Sequence, residues 1–259
     1  MTINTRRITA ALSIAALLAA AALPAQAQTT EAKEKPRIYT YVGNWVVPRA
    51  RWNDWEKSAG ANDKTFDQDL ASGTLLAYGS DSAVVHEADA STHSGWWAGK
   101  SLADVLGVLD QFPKSAAADA LLASSTKHWD DIYVSRHYGW RPGPVKGGYV
   151  YASSYKLKAD APNDAVDRLS NSFIVPLFEK LMADGSVSAY QVAVQAVHSQ
   201  DPNLFFIFYI TPNAAGLDKV SAALREALAA NPLAGDAFGG MVDFSVHRDE
   251  IGRETAMFK

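Results

Sequence analysis

Six histidines and ten tyrosines carry most of the chemistry open to this 259-residue chain, which has no cysteine. Without a thiol there is no thiolate nucleophile, Fe–S ligand, thiolate zinc site or covalent haem attachment. His86 recurs as His198, and His137 as His247, each at a place where a strand is expected to end. The first pair reads as metal or haem ligands or as rings that hydrogen-bond a strand terminus, and the second as general bases, since imidazole titrates near neutral pH. Ser135 and His137 lie two apart on one strand face, about 7 Å between Cα atoms, and lack a third member for a triad. His86-Glu87-x-Asp89 with His93 offers zinc-ligand types, but the second copy, His198-Ser199-x-Asp201, does not repeat the set, so no metal is assigned. Gly95-Trp-Trp-Ala-Gly99-Lys100-Ser101 falls one residue short of a phosphate loop, and its tryptophans read as strand.

The elements that must position these groups come from an internal repeat. Phe66 to Asp89 lies without a gap on Phe178 to Asp201, with identities that include Ala71/Ala183, Gly73/Gly185, Ala77/Ala189, Tyr78/Tyr190, Val85/Val197 and His86/His198. The flanks follow in order: Tyr39, Tyr41 and Trp45 on Tyr149, Tyr151 and Tyr155; Leu102, Val105 and Leu109 on Leu217, Val220 and Leu224; Ser135 and His137 on Ser245 and His247. Between the copies, two prolines and three glycines in 141–148 predict an irregular linker. This divides the chain into a first unit, 38–140, and a second, 149–253.

Each copy reads strand, helix, strand, strand, helix, strand. In the second, Tyr149 to Lys158 predicts a strand, and Asp164 caps a helical pattern through Val166, Leu169, Phe173, Leu177 and Leu181. Pro176 must kink or restart that helix, and Gly185 must end it in a left-handed cap. Residues 188–198 and 204–211 form a hairpin, Leu217 to Leu228 a helix, and Val242 to His247 the closing strand. The first copy repeats this order and adds a helical stretch, Ala116 to Leu122. Both units are ferredoxin-like, an antiparallel sheet with helices on one face. Packed sheet to sheet, two such units make an α+β fold, an intramolecular α/β barrel.

Alternation along the strands separates two faces. Placing the aliphatic side chains under the helices turns Tyr133, His137 and His247 inward, and with them Tyr41, Trp45, Tyr151 and Tyr155. Such a chamber suits a flat, mostly apolar ligand; the competing reading is that these rings fill a core. All seven tryptophans lie in the first half, so the copies have diverged.

On element order and repeat, residues 38–253 resemble the dimeric α/β-barrel superfamily in a fused form. The helix end Leu181-Met-Ala-Asp-Gly185 and the closing Val242-Asp-Phe-Ser-Val-His-Arg248 resemble a group of uncharacterised exported bacterial proteins. The resemblance implies a range of activities: cofactor-independent monooxygenases, haem-degrading enzymes, chlorite dismutases, isomerases, and proteins without known activity.

Residues 1–27 read as a secretory signal: Arg6-Arg7, an alanine-rich run from Ile8 to Leu23, then Pro24-Ala25-Gln26-Ala27, with cleavage expected before Gln28. The run is too short to span a bilayer, and no later segment approaches that length, which predicts a periplasmic or secreted protein with no integral membrane segment. A net charge of -4 leaves no basic excess for nucleic acid. The first expectation is an exported protein that binds a small apolar or aromatic ligand between its units, without a cofactor. The second is a cofactor-independent monooxygenase or isomerase in the same cavity, using His137 or His247. The third is haem binding through one histidine. Fusion removes the need to dimerise, which predicts a monomer or weak homo-oligomer.

Overall fold

A computed structural model describes residues 35–88, 90–111 and 116–259. The expected export signal and cleavage site, and Asp89, lie outside the described residues. The first unit runs β1 (Ile38–Val46), α1 (Trp52–Gly60), α2 (Asp63–Ser72), β2 (Leu75–Ala83), β3 (His93–Gly99), α3 (Leu102–Leu109), α4 (Ala116–Ser124) and β4 (Lys127–Trp140). The second runs β5 (Gly143–Leu157), α5 (Ala165–Leu169), α6 (Val175–Ala183), β6 (Ala189–Gln195), β7 (Leu204–Thr211), α7 (Ala214–Ala230), α8 (Pro232–Met241) and β8 (Val242–Phe258). Among the described residues, no helix is long and apolar enough to cross a membrane.

The strands form one closed antiparallel barrel in the order β1-β3-β2-β8-β5-β7-β6-β4. Within it the units have matching orders, β4-β1-β3-β2 and β8-β5-β7-β6, each a ferredoxin-like sheet. The two sheets do more than face each other: β4 bonds to β6 and β2 to β8, so neither sheet keeps an open edge. Gly73 and Gly185, the repeat's matched glycines, end α2 and α6 with φ of 86° and 83°, the left-handed cap that a side chain disfavours.

Pro176 restarts its helix as expected. Lacking an N–H, it enters after a π-turn over Ser170–Ile174 that joins α5 to α6. The expected linker is a correction: only Arg141 and Pro142 stay out of strand, and β5 begins at Gly143. Gly143 and Gly147, with φ of 111° and 69°, let the chain turn into β5 and pass a bulge at Lys146/Gly148.

The largest core lies between the second sheet and its helices, where Leu169, Ile174, Leu177, Phe178 and Leu181 meet Tyr190, Val192, Phe205, Ile207 and Tyr209. The first unit has smaller cores, Tyr41 and Trp97 with Val105 and Val108 of α3, and Trp45 with Trp55 and Leu121.

Candidate functional site

Inside the barrel is a cavity of about 560 Å³, within the range that small-molecule sites occupy. Alternate residues of the strands point into it. Its apolar wall includes Val42, Trp96, Trp140, Phe206, Phe208 and Phe258, with Tyr133 edge-on to Phe206 and Phe208 at 4.9 and 5.3 Å between centroids.

Of the rings expected to line this chamber, Tyr133 does so. Tyr41, Trp45, Tyr151 and Tyr155 point the other way, beneath the helices: Tyr41 stacks on Trp97 over α3, Trp45 packs on Trp55 of α1, and Tyr155 meets Phe238 of α8. Tyr151 stacks on Tyr209 in the second unit's core. The alternation was sound, but the large rings fill the wide gap between sheet and helices. Small side chains such as Thr40, Val42, Val150 and Ala152 turn into the narrower barrel.

His137 and His247 also leave the chamber, because bulges shift the alternation. In β4 an extra residue between Ser135 and His137 turns His137 outward, where Nε2 lies 2.8 Å from Asp167. In β8, Phe244 to His247 oppose the single Tyr155, and His247 stacks on that ring at 4.4 Å. His86 and His198 lie beyond the ends of β2 and β6 and are exposed. Among the described residues, no histidine lines the barrel cavity.

The pairing also corrects the repeat's register in the last strands. Tyr41 sits opposite Ile132 and Tyr151 opposite Ile251, so His128-Trp-Asp130-Asp131-Ile132 matches His247-Arg-Asp249-Glu250-Ile251. Each unit thus repeats a His-x-Asp on its helix side. In the first, the Tyr41 hydroxyl donates to Asp130, whose Oδ1 lies 3.0 Å from His128 Nε2, and Trp45 stacks on His128 at 4.7 Å. In the second, Asp249 lies 3.1 Å from His247 and accepts from Ser153.

The residue after each of those aspartates turns inward, and here sequence reasoning missed the site. Asp131 accepts from Asn44, Gln195, Ser199 and Gln200, tying the β6–β7 loop to the barrel. Its counterpart Glu250 shares the cavity wall with Asp81. Burial, then Glu250, pushes the Asp81 carboxyl from 3.8 up to about 7. Directly across the β2–β8 seam is Glu254, fully buried, raised well above its ordinary value by burial and then by Asp81. The indole N–H of Trp96 donates to Glu254 Oε1 at 3.3 Å, while Oε2 has no partner among the described residues. Two glycines make the room: a Cβ on Gly79 would come within 2.6 Å of Glu254 Oε1, and one on Gly252 within 2.6 Å of Asp81 Oδ1. The readable signal was the repeated pentapeptide His-x-Asp-Asp/Glu-Ile.

Chemically, the chamber offers aromatic surface for a flat molecule and, at Asp81, a carboxyl that both gives and takes a proton near neutral pH.

No protein-family model matches the chain, and no curated protein is similar to it. Solved structures are. A candidate monooxygenase from Lactobacillus acidophilus NCFM has a TM-score of 0.60 at 12% identity, over 86% of this chain and 97% of that one. One from Fusobacterium nucleatum has a TM-score of 0.60 at 9% identity, over 87% and 95%. An anthrone oxidase-like protein has 0.53 at 11% identity, over 85% and 92%. Identities this low bear on architecture alone, and the architecture they establish is the dimeric α/β barrel, here closed within one chain.

Proposed function

We propose that the protein holds a flat, mostly apolar small molecule inside the barrel, against Trp96, Trp140, Tyr133, Phe206 and Phe208, with Asp81 as its polar anchor. The observation that carries this is a cavity of about 560 Å³ in which Trp96, Tyr133, Trp140, Phe206 and Phe208, with aliphatic side chains between them, form an apolar wall beside carboxyl, hydroxyl and amide groups. Anthrone, a neutral tricyclic ketone, is a suitable probe. It is expected to bind the wild-type protein and to lose about tenfold or more in affinity when Ala152, whose side chain faces the cavity, becomes Trp. Equal binding by Ala152→Trp removes the reading.

A second reading, an enzyme without a cofactor, is favoured by Asp81. A base with a pKa near 7 is matched to abstracting a proton from an activated C–H or O–H of a bound ring, the opening step of an isomerisation or of oxygen addition to the resulting anion. The general base therefore moves from His137 and His247 to Asp81. Oxygen uptake at saturating anthrone is expected to fall at least 100-fold in Asp81→Asn; uptake unchanged in that variant removes the enzyme reading. Among the described residues, no histidine lines this chamber to hold a haem iron.

The reading includes export. The charged, apolar and small-residue order of residues 1–27 supports cleavage before Gln28 and a periplasmic or secreted location. A single-chain barrel with both seams bonded supports a monomer or weak homo-oligomer.

A further inference from the structure

We infer that the first unit carries a second ligand site, on the outer face of its sheet beneath α1 and α2 and bounded, like the barrel chamber, by Asp81 and Trp96, that takes a hydroxylated aromatic ring.

The pairing registers of the two units superimpose residue by residue. Trp45 pairs with His93 as Tyr155 pairs with Phe205; His93 pairs with Ser82 as Phe205 pairs with Val194; and Gly95 pairs with Ser80 as Ile207 pairs with Val192. At these helix-facing positions the second unit has Phe205, Val194, Ile207 and Val192, and they form its core with α5 and α6. The first unit has His93, Ser82, Gly95 and Ser80. Four core hydrophobes in one copy are thus an imidazole, two hydroxyls and a glycine in the other. The result is a second cavity of about 560 Å³ where the other unit is packed.

A hollow that served nothing would cost the dispersion and burial that the second unit keeps. The walls say what it suits. Trp45, Trp55, Phe66, Tyr78 and Trp97 line it, giving aromatic surface from sheet and helices. Three polar atoms on lining side chains, all at least nine-tenths buried, have no hydrogen-bond partner among the described residues: Nε1 of Trp45, Nε1 of Trp55 and Nε2 of His93. The indoles are donors only. Thr92 Oγ1 accepts from the Val47 N–H at 2.8 Å and lies 3.2 Å from the Trp45 carbonyl and 3.0 Å from His93 Nδ1; in the tautomer where the hydroxyl proton goes to the carbonyl and Nδ1 donates, Nε2 keeps a lone pair. Burial, then His86 and Arg49, lowers the imidazole to about 4, so it is neutral at physiological pH. Two donors and one acceptor around an aromatic wall fit a phenolic oxygen, which accepts from an indole while its proton goes to Nε2.

The test uses 2-naphthol and the 15N-labelled mature protein, following the indole N–H resonances of Trp45 and Trp55. Saturable downfield shifts of both are expected, with affinity about tenfold weaker or worse in Ser80→Val/Ser82→Val, which restores the second unit's side chains, and in His93→Phe. Ala152→Trp, which blocks the barrel, is expected to leave these shifts intact. The double valine variant keeps the test decisive if His93→Phe does not fold. Resonances that do not move with 2-naphthol, or that move equally in Ser80→Val/Ser82→Val, overturn the proposal, as does loss of the shifts in Ala152→Trp.

Discussion

Asp81 and Glu254 face each other across the β2–β8 seam, two carboxyls side by side where the second unit's last strand closes the barrel on the first. Burial raises both. From pH 4 to 7 the folded chain holds a proton on Asp81 that the unfolded chain has released, so this group makes stability fall as pH rises through that window. Asp81→Asn is expected to flatten the fall and to stabilise the protein at pH 8 by about 2–4 kcal/mol in urea unfolding. A variant as pH-sensitive as the wild type refutes this account of the seam.

Gly79 is small because Glu254 and Trp96 occupy the space above it, with Trp96 Cζ2 2.7 Å from where a Cβ would stand. Gly79→Ala is expected to cost about 1–3 kcal/mol, as overpacking does. Gly239, with nothing within 4 Å of its Cβ position, serves as the control. Thermal unfolding of the two alanine variants distinguishes the positions.

His128 and Asp130 form the helix-side pair that ties the start of β4 to β1. The hydrogen bond that His128 donates to Asp130 raises the imidazole, opposed by burial and helped by the Asn44 carbonyl. Burial pushes the Asp130 carboxyl up, but His128 and Tyr41 outweigh it and hold it low. The raised imidazole contributes stability that is lost as pH rises through its folded pKa, and the lowered carboxyl contributes stability that is lost as pH falls through its own. Asp130→Asn is therefore expected to lower Tm more at pH 5.5 than at pH 8.5 or pH 3, by a few degrees at the most sensitive pH. An equal loss at all three leaves the pair without an electrostatic role.

Much of the architecture was legible because it rests on local chemistry. Gly73, Gly185 and Pro176 mark turns that no other residue makes as easily, and the duplicated order of elements follows from them. The chamber was not legible. Alternation says which residues share a face but not which face is inside, so Tyr41, Trp45, Tyr151 and Tyr155 were assigned to the wrong side as a group. The two histidines left the chamber for a different reason, the bulges at Ser135/His137 and at Tyr155. Asp81 and Glu254 stand far apart in the chain among polar residues, where a carboxylate reads as solvated. Only closing the barrel brings them together.

Export has its own check. Protein recovered from the medium or periplasm of a bacterial host is expected to begin at Gln28 by N-terminal sequencing. A first residue of Met1 in protein confined to the cytoplasm contradicts the signal assigned to residues 1–27.

The most direct measurement of the central claim is where anthrone sits. Intermolecular NOEs in the labelled complex are expected from anthrone ring protons to Trp96, Tyr133, Phe206 and Phe208. Contacts confined to the helix-facing rings Tyr41, Tyr151 and Tyr155, or none at saturating anthrone, contradict a binding chamber inside the barrel.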